Sequence, residues 1–220
     1  YHENLLAVHL DDKLLALLGG SWRRPPAAPA DWWERPDARA LWAEARPALD
    51  ASLAGCARSV IKDPRASLLL PSWLDAYPDA RVVVCLRRPA AAVASLSRRD
   101  RVPPGECLHL WGRYLLAALD APPERRSTCV YEDLLKDPRP PLEALVRDLR
   151  LEGPADWARV ASHVDPRLDH AAAGPGEPPR VAPSALLGRG PPLPTSLKTS
   201  RREVDPRLLE LAEELYDVAR

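Results

Sequence analysis

Residues 82–95 read VVVCLRRPAAAVAS. An apolar run stops at two arginines and restarts, through a proline, as an alanine-rich segment. Val82 to Leu86 has the length and β-branched content of a buried strand. Pro89 suits the first turn of a helix, where its missing N–H costs nothing. The stretch is therefore strand, turn, helix. In open α/β sheets, ligands bind beyond the carboxyl ends of the strands. Arg87 stands at that end, and the unpaired N–H groups of the following helix point to the same place. Ser95 lies about two turns into that helix. Guanidinium, hydroxyl and helix end together make an anion site. The same residues also fit a surface arginine pair flanking a helix capped by Asp100 or Glu106.

Working outward, the chain alternates short apolar runs with helical periodicity. A helix is expected over 5–18, stopped by Gly19-Gly20. Another covers 37–54, interrupted near Pro47. A short strand is expected at 57–61, broken by Asp63-Pro64, then a helix over 66–77 with Leu69, Leu70, Trp73 and Leu74 on one face. After the strand 81–86 and the helix 89–99, Leu108, Trp111, Leu115 and Leu119 mark a helix by their three- and four-residue steps. Residues 127–131 are β-rich, and Leu142, Leu145, Val146 and Leu149 mark a further helix. The last helix is opened by Asp205-Pro206, with Leu208, Leu211, Leu215 and Val218 as its stripe. The Pro-rich residues 171–200 read as a surface loop or lid. This alternation predicts one α/β domain over 1–220 with a mainly parallel sheet flanked by helices. Strands apolar throughout predict cover on both faces.

Composition narrows the function. Lys plus Arg number 31 and Asp plus Glu number 31. No whole-protein field is aimed at nucleic acid or an anionic membrane, so anion binding must be local. No run approaches the roughly 18 apolar residues of a membrane span, and no secretory leader is evident. Cys56, Cys85, Cys107 and Cys129 fit no zinc spacing. Cys85 and Cys129 sit in apolar β-like runs, so the cysteines are read as reduced core thiols of a cytoplasmic protein. The chain starts at Tyr1 and holds no Met, which suggests a natural protein with a further N-terminal segment.

Residues 82–95 resemble the 3′-phosphate-binding motif of the sulfotransferases that use 3′-phosphoadenosine 5′-phosphosulfate (PAPS), in which a strand ends in Arg and a Ser follows on the next helix. Arg87 and Ser95 have that spacing. Val60-Ile61-Lys62-Asp63-Pro64-Arg65 resembles the strand-end Lys element of bacterial and tyrosyl-protein members. Cys129-Val130-Tyr131-Glu132-Asp133-Leu134 is similar to the family's Tyr-Glu-Asp strand end. Tyr1-His2-Glu3-Asn4, then a Leu-rich helix and Gly19-Gly20-Ser21-Trp22, resembles the bacterial segment after the first helix. The resemblance covers about residues 1–150 and implies a P-loop NTPase-like sulfotransferase fold. The family's first strand and 5′-phosphosulfate loop would precede Glu3 and are lacking here.

The resemblance also implies roles. Glu3 is the candidate base for the acceptor proton, with His2 and His9 as alternatives, and Lys62 the candidate for stabilising the leaving bridge oxygen. Arg65 either assists or pairs with a carboxylate. Arg87 and Ser95 hold the 3′-phosphate, Tyr131 lies near adenine, and Lys198 closes over the phosphate. Trp32 and Trp33 either line an acceptor pocket or staple loop to core. The implied reaction is in-line transfer of a sulfonate from PAPS to a hydroxyl or amine of a small molecule or glycan. It leaves 3′-phosphoadenosine 5′-phosphate and requires no metal and no nucleic acid. The alternatives are, from a different class, a degenerate, non-catalytic nucleotide- or partner-binding relative and, third, a P-loop-like kinase, for which no Walker loop or Mg²⁺-binding Asp pattern is visible.

Overall fold

The computed structural model describes residues 3–56, 58–151, 155–164 and 206–219. These gather into two units: residues up to Ala80 with Leu116–Ala121, and Arg81–Leu115 with the residues from Pro122 onward.

In the first unit, Asn4 starts α1 (Leu5–Leu17). Its side-chain oxygen accepts from the N–H groups of Leu6 and Ala7, satisfying donors that the first turn leaves free. Gly19 ends the helix at φ +76°, a backbone state that favours glycine. Gly20 then passes so close to Arg24 that an added Cβ would meet the Arg24 carbonyl at 2.6 Å. Both glycines act as the stop that the sequence indicates. Ala7, Leu10, Leu14 and Leu15 of α1 are buried against Trp42 and Leu49 of α2 (Pro36–Leu53), the 3₁₀ turn Pro64–Leu69, and Trp73 of α3 (Leu70–Ala76). Each fully buried Leu contributes about 1.5–3 kcal/mol. Trp42 and Trp73 meet edge to face with ring centres 4.8 Å apart.

In the second unit, β1 (Val82–Leu86) pairs in parallel with β2 (Arg126–Val130), Val82 opposite Arg126 and Leu86 opposite Val130. Parallel neighbours need a crossover, here α4 (Pro89–Asp100) and α5 (Pro104–Leu119). Cys107, Leu108, Leu110 and Leu115 form the buried stripe of α5. Trp111 Nε1–H donates to the Arg87 carbonyl at 3.1 Å and so ties α5 to the end of β1. The chain leaves β2 directly into α6 (Tyr131–Lys136). Then α7 (Arg139–Asp148) packs on β2, α8 (Trp157–His163) follows, and α9 (Pro206–Ala219) packs on α4. The fold class is α/β, with a parallel strand pair flanked by helices.

Five local expectations are corrected. Residues 58–61 form no strand: no described segment supplies the partner that a strand's backbone needs, and Val60 is 89% exposed. Residue 57 lies outside the described residues. Pro47 does not interrupt α2. Its missing N–H frees only the Ala43 carbonyl, on an exposed turn open to solvent, while Ala38, Trp42 and Leu49 anchor the helix on both sides. The two faces of β1 are not equally covered, since Val84 and Leu86 are buried while Val83 and Cys85 are exposed. Successive side chains point to opposite faces, and one face of β1 is open. Cys85 is accordingly not a core thiol, and neither is the exposed Cys56, whereas Cys107 and Cys129 are buried. Finally, among the described side chains of α9 the buried ones are Ala212 and Tyr216, with Leu215 half-buried and Leu211 and Val218 exposed. Tyr216 brings both a ring and a hydroxyl that finds a carboxylate partner, which the leucines cannot match. The α6 and α8 helices were not anticipated.

Candidate functional site

The first unit brings Glu3 and Lys62 together. Lys62 Nζ–H donates to Glu3 Oε1 at 2.6 Å, across 59 positions of sequence. Asn4, the cap of α1, places Glu3 just before the helix. Asp63 places Lys62: its side chain accepts from Arg65 N–H and opens the turn Pro64–Leu69. The hydrogen bond from Lys62 holds the Glu3 carboxyl below its ordinary range, helped by the Arg65 charge. Both side chains retain solvent access, so the pair itself adds little stability.

Behind this pair lies a carboxylate cluster that the sequence reading missed. Asp11, on the buried face of α1, is fully enclosed. Its Oδ1 accepts from Trp73 Nε1 at 2.8 Å, but its Oδ2 is buried without a donor among the described residues and interacts with Asp63, another acceptor. Burial, more than the Asp63 charge, pushes Asp11 up to about 8. A proton on Asp11 supplies the missing donor. Arg65 contacts Asp63 through Nη1 at 2.9 Å and Asp12 through Nε at 2.8 Å. Periodicity places Asp11 beside Leu10 and Leu14 on the apolar face, which is the one signal that was available.

Trp32 is buried in the core of this unit. Trp33 instead lines a cavity of about 260 Å³ together with Arg39, Trp42, Arg46, Ser72 and Asp75. His9 is exposed on α1.

The second unit brings Arg87 and Tyr131 together. The register sets Leu86 opposite Val130, so the residues that follow the two strand ends are neighbours. The Arg87 guanidinium stacks over the Tyr131 ring at 4.7 Å, a contact worth roughly 0.5–2 kcal/mol. Arg87 Nε is buried and has no hydrogen-bond partner among the described residues. Ser95 is partly exposed in the second turn of α4. No hydrogen bond joins it to Arg87 among the described residues.

A second missed group surrounds the start of α4. Glu132 Oε1 accepts from the Arg88 N–H at 2.9 Å, and its Oε2 accepts from the Tyr216 hydroxyl at 2.9 Å. Glu213 of α9 lies 3.9 Å from the Arg88 guanidinium, and the Ala90 N–H favours its charged form. Burial raises the Glu213 carboxyl above its ordinary value, although Arg88 opposes this. Tyr216 is the lone aromatic of its helix, the one hint that the sequence carried.

Lys198, the Pro-rich 171–200 and His2 lie outside the described residues. Among the described residues no His, Cys, Asp and Glu group is arranged to hold a metal ion, and no helix is long and apolar enough to cross a membrane.

A model described as the sulfotransferase family matches residues 11–155. Lys62, Arg87, Ser95 and Tyr131 fall within the match, and Glu3 and Lys198 outside it. No curated protein and no solved structure matches the chain.

Proposed function

Because the chain belongs to the sulfotransferase family, we propose that it transfers a sulfonate from PAPS to a hydroxyl or amine of a small-molecule or glycan acceptor, in a cytoplasmic setting. The observation that carries this reading is the 2.6 Å contact between Lys62 and Glu3. The motifs assign one to the leaving oxygen and the other to the acceptor proton, and folding joins them.

PAPS, when bound, supplies an activated sulfonate and a 3′-phosphate. Arg87 suits the phosphate because its Nε is buried without a hydrogen-bond partner among the described residues, and a phosphate oxygen is the acceptor it needs. Ser95 adds a hydroxyl on α4, the helix that follows Arg87. Tyr131 orders the Arg87 guanidinium from below and offers an aromatic face to a base. Sulfonate transfer resembles phosphoryl transfer in depending on positioning and electrostatic stabilisation.

Glu3 and Lys62 have an exchange to make. While Lys62 holds it, Glu3 is a poor base. When negative charge develops on a leaving oxygen, Lys62 moves toward it, and Glu3 regains basicity as the acceptor proton must be taken. Lys62 is 55% exposed, so the movement costs little packing.

The test is radiolabelled PAPS offered with a panel of phenols, sugars and amines, alongside calorimetry with 3′-phosphoadenosine 5′-phosphate. Transfer that is lost in Lys62→Ala supports the reading. Nucleotide binding without transfer to any acceptor would favour the non-catalytic relative, and no nucleotide binding would refute both.

A further inference from the structure

We propose that Glu213 is an internal anion seated on the first turn of α4, so that α9 forms a latch that a phosphorylated ligand must displace. The proposal rests on the nucleotide-site reading above and adds a regulation of that site.

The start of α4 offers what an anion seeks: backbone N–H groups and the positive end of a helix dipole. Carboxylates of the chain already fill it. Glu132 takes the Arg88 N–H at 2.9 Å, and the Ala90 N–H favours the charged form of Glu213. The Arg88 guanidinium leans the same way, 3.9 Å from Glu213 and 5.6 Å from the centre of the Tyr216 ring. Tyr216 is fully buried and donates to Glu132 at 2.9 Å, which locks α9 against the same turn. Two helices distant in sequence thus converge their acidic groups on one cationic junction.

The latch is built to yield. Glu213 is desolvated on arrival, and its attraction to Arg88 acts over a long contact. A phosphate carries more charge and more acceptor oxygens than one carboxylate. Arg87 makes no ion pair among the described residues and adds its guanidinium to the incoming ligand alone. Release of α9 returns Glu213 to water, where its charge is better solvated.

The experiment titrates 3′-phosphoadenosine 5′-phosphate into the full chain and into its Glu213→Gln and Tyr216→Phe variants. Glu213→Gln keeps shape and removes the charge, whereas Tyr216→Phe keeps the ring and cuts the tether to Glu132. Both variants are expected to bind more tightly, Glu213→Gln by about tenfold. In the unaltered chain, amide exchange over 206–219 is expected to rise on binding. Equal affinity for all three chains overturns the latch and leaves the nucleotide site standing. If none binds, the site reading fails and the latch falls with it. If Glu213→Gln does not fold, Tyr216→Phe decides by the same criterion.

Discussion

Lys62 Nζ lies 2.6 Å from Glu3 Oε1, and the ammonium holds the carboxyl below its ordinary range. Neither residue is near the other in sequence. Each is set by its own cap, Asn4 for the helix after Glu3 and Asp63 for the turn after Lys62.

Glu3→Gln is expected to lower turnover by roughly 10²-fold or more while sparing nucleotide affinity. Lys62→Ala is expected to lower turnover too, and to move the acid limb of the rate profile upward. The sign follows from the pair: Lys62 depresses the Glu3 pKa, so removing it makes Glu3 take up its proton at higher pH. Single-turnover rates across pH 3–7 (roughly, the span around an ordinary carboxylate) check this. An unmoved acid limb removes Glu3 as the base.

Arg87→Ala is expected to weaken 3′-phosphoadenosine 5′-phosphate by about 1.5–3 kcal/mol, the worth of a hydrogen bond to a charged group. Tyr131→Phe keeps the ring under the guanidinium and should bind nearly as well. Tyr131→Ala removes that support and should weaken binding. Calorimetry on the three variants orders them; equal affinities would take Arg87 out of the site.

Asp11 makes stability depend on pH. Its folded pKa, about 8, lies above the ordinary 3.8, so the folded chain holds a proton that the unfolded chain releases. That stability is fully present below the unfolded value and is lost as pH rises toward the folded one. The slope reaches at most about 1.4 kcal/mol per pH unit. Urea midpoints should therefore fall between acidic and mildly alkaline buffer. Asp11→Asn keeps an acceptor for Trp73 and a donor for Asp63, and should flatten that fall.

The cysteines divide by exposure. Cys56 and Cys85 should react with a small alkylating agent in the folded chain, and Cys107 and Cys129 should not until it unfolds. Burial pushes the Cys129 thiol up to about 11, so little thiolate is present near neutrality. Peptide mapping after labelling reads the pattern directly.

Strand, arginine, proline and helix follow one another in 82–95 because torsional preference and side-chain patterning are properties of neighbours along the chain. The junction that presents Arg87, the turn at Asp63-Pro64 and the stop at Gly19-Gly20 were therefore legible before any coordinates. The closeness of Arg87 and Tyr131 was not legible, because it depends on β1 pairing with β2. Residues 58–61 look like a strand by the same criteria and are not one, since a strand also needs a partner. Pro47 looks like a break and is not one, since the packed faces on either side outweigh one lost hydrogen bond. Only the tertiary structure could pair Glu3 with Lys62, enclose Asp11 against Asp63, and bury Tyr216 of α9 while leaving Leu211 exposed. These are long-range contacts, decided by which surfaces meet and which buried polar groups find a partner, and local sequence carries no record of either.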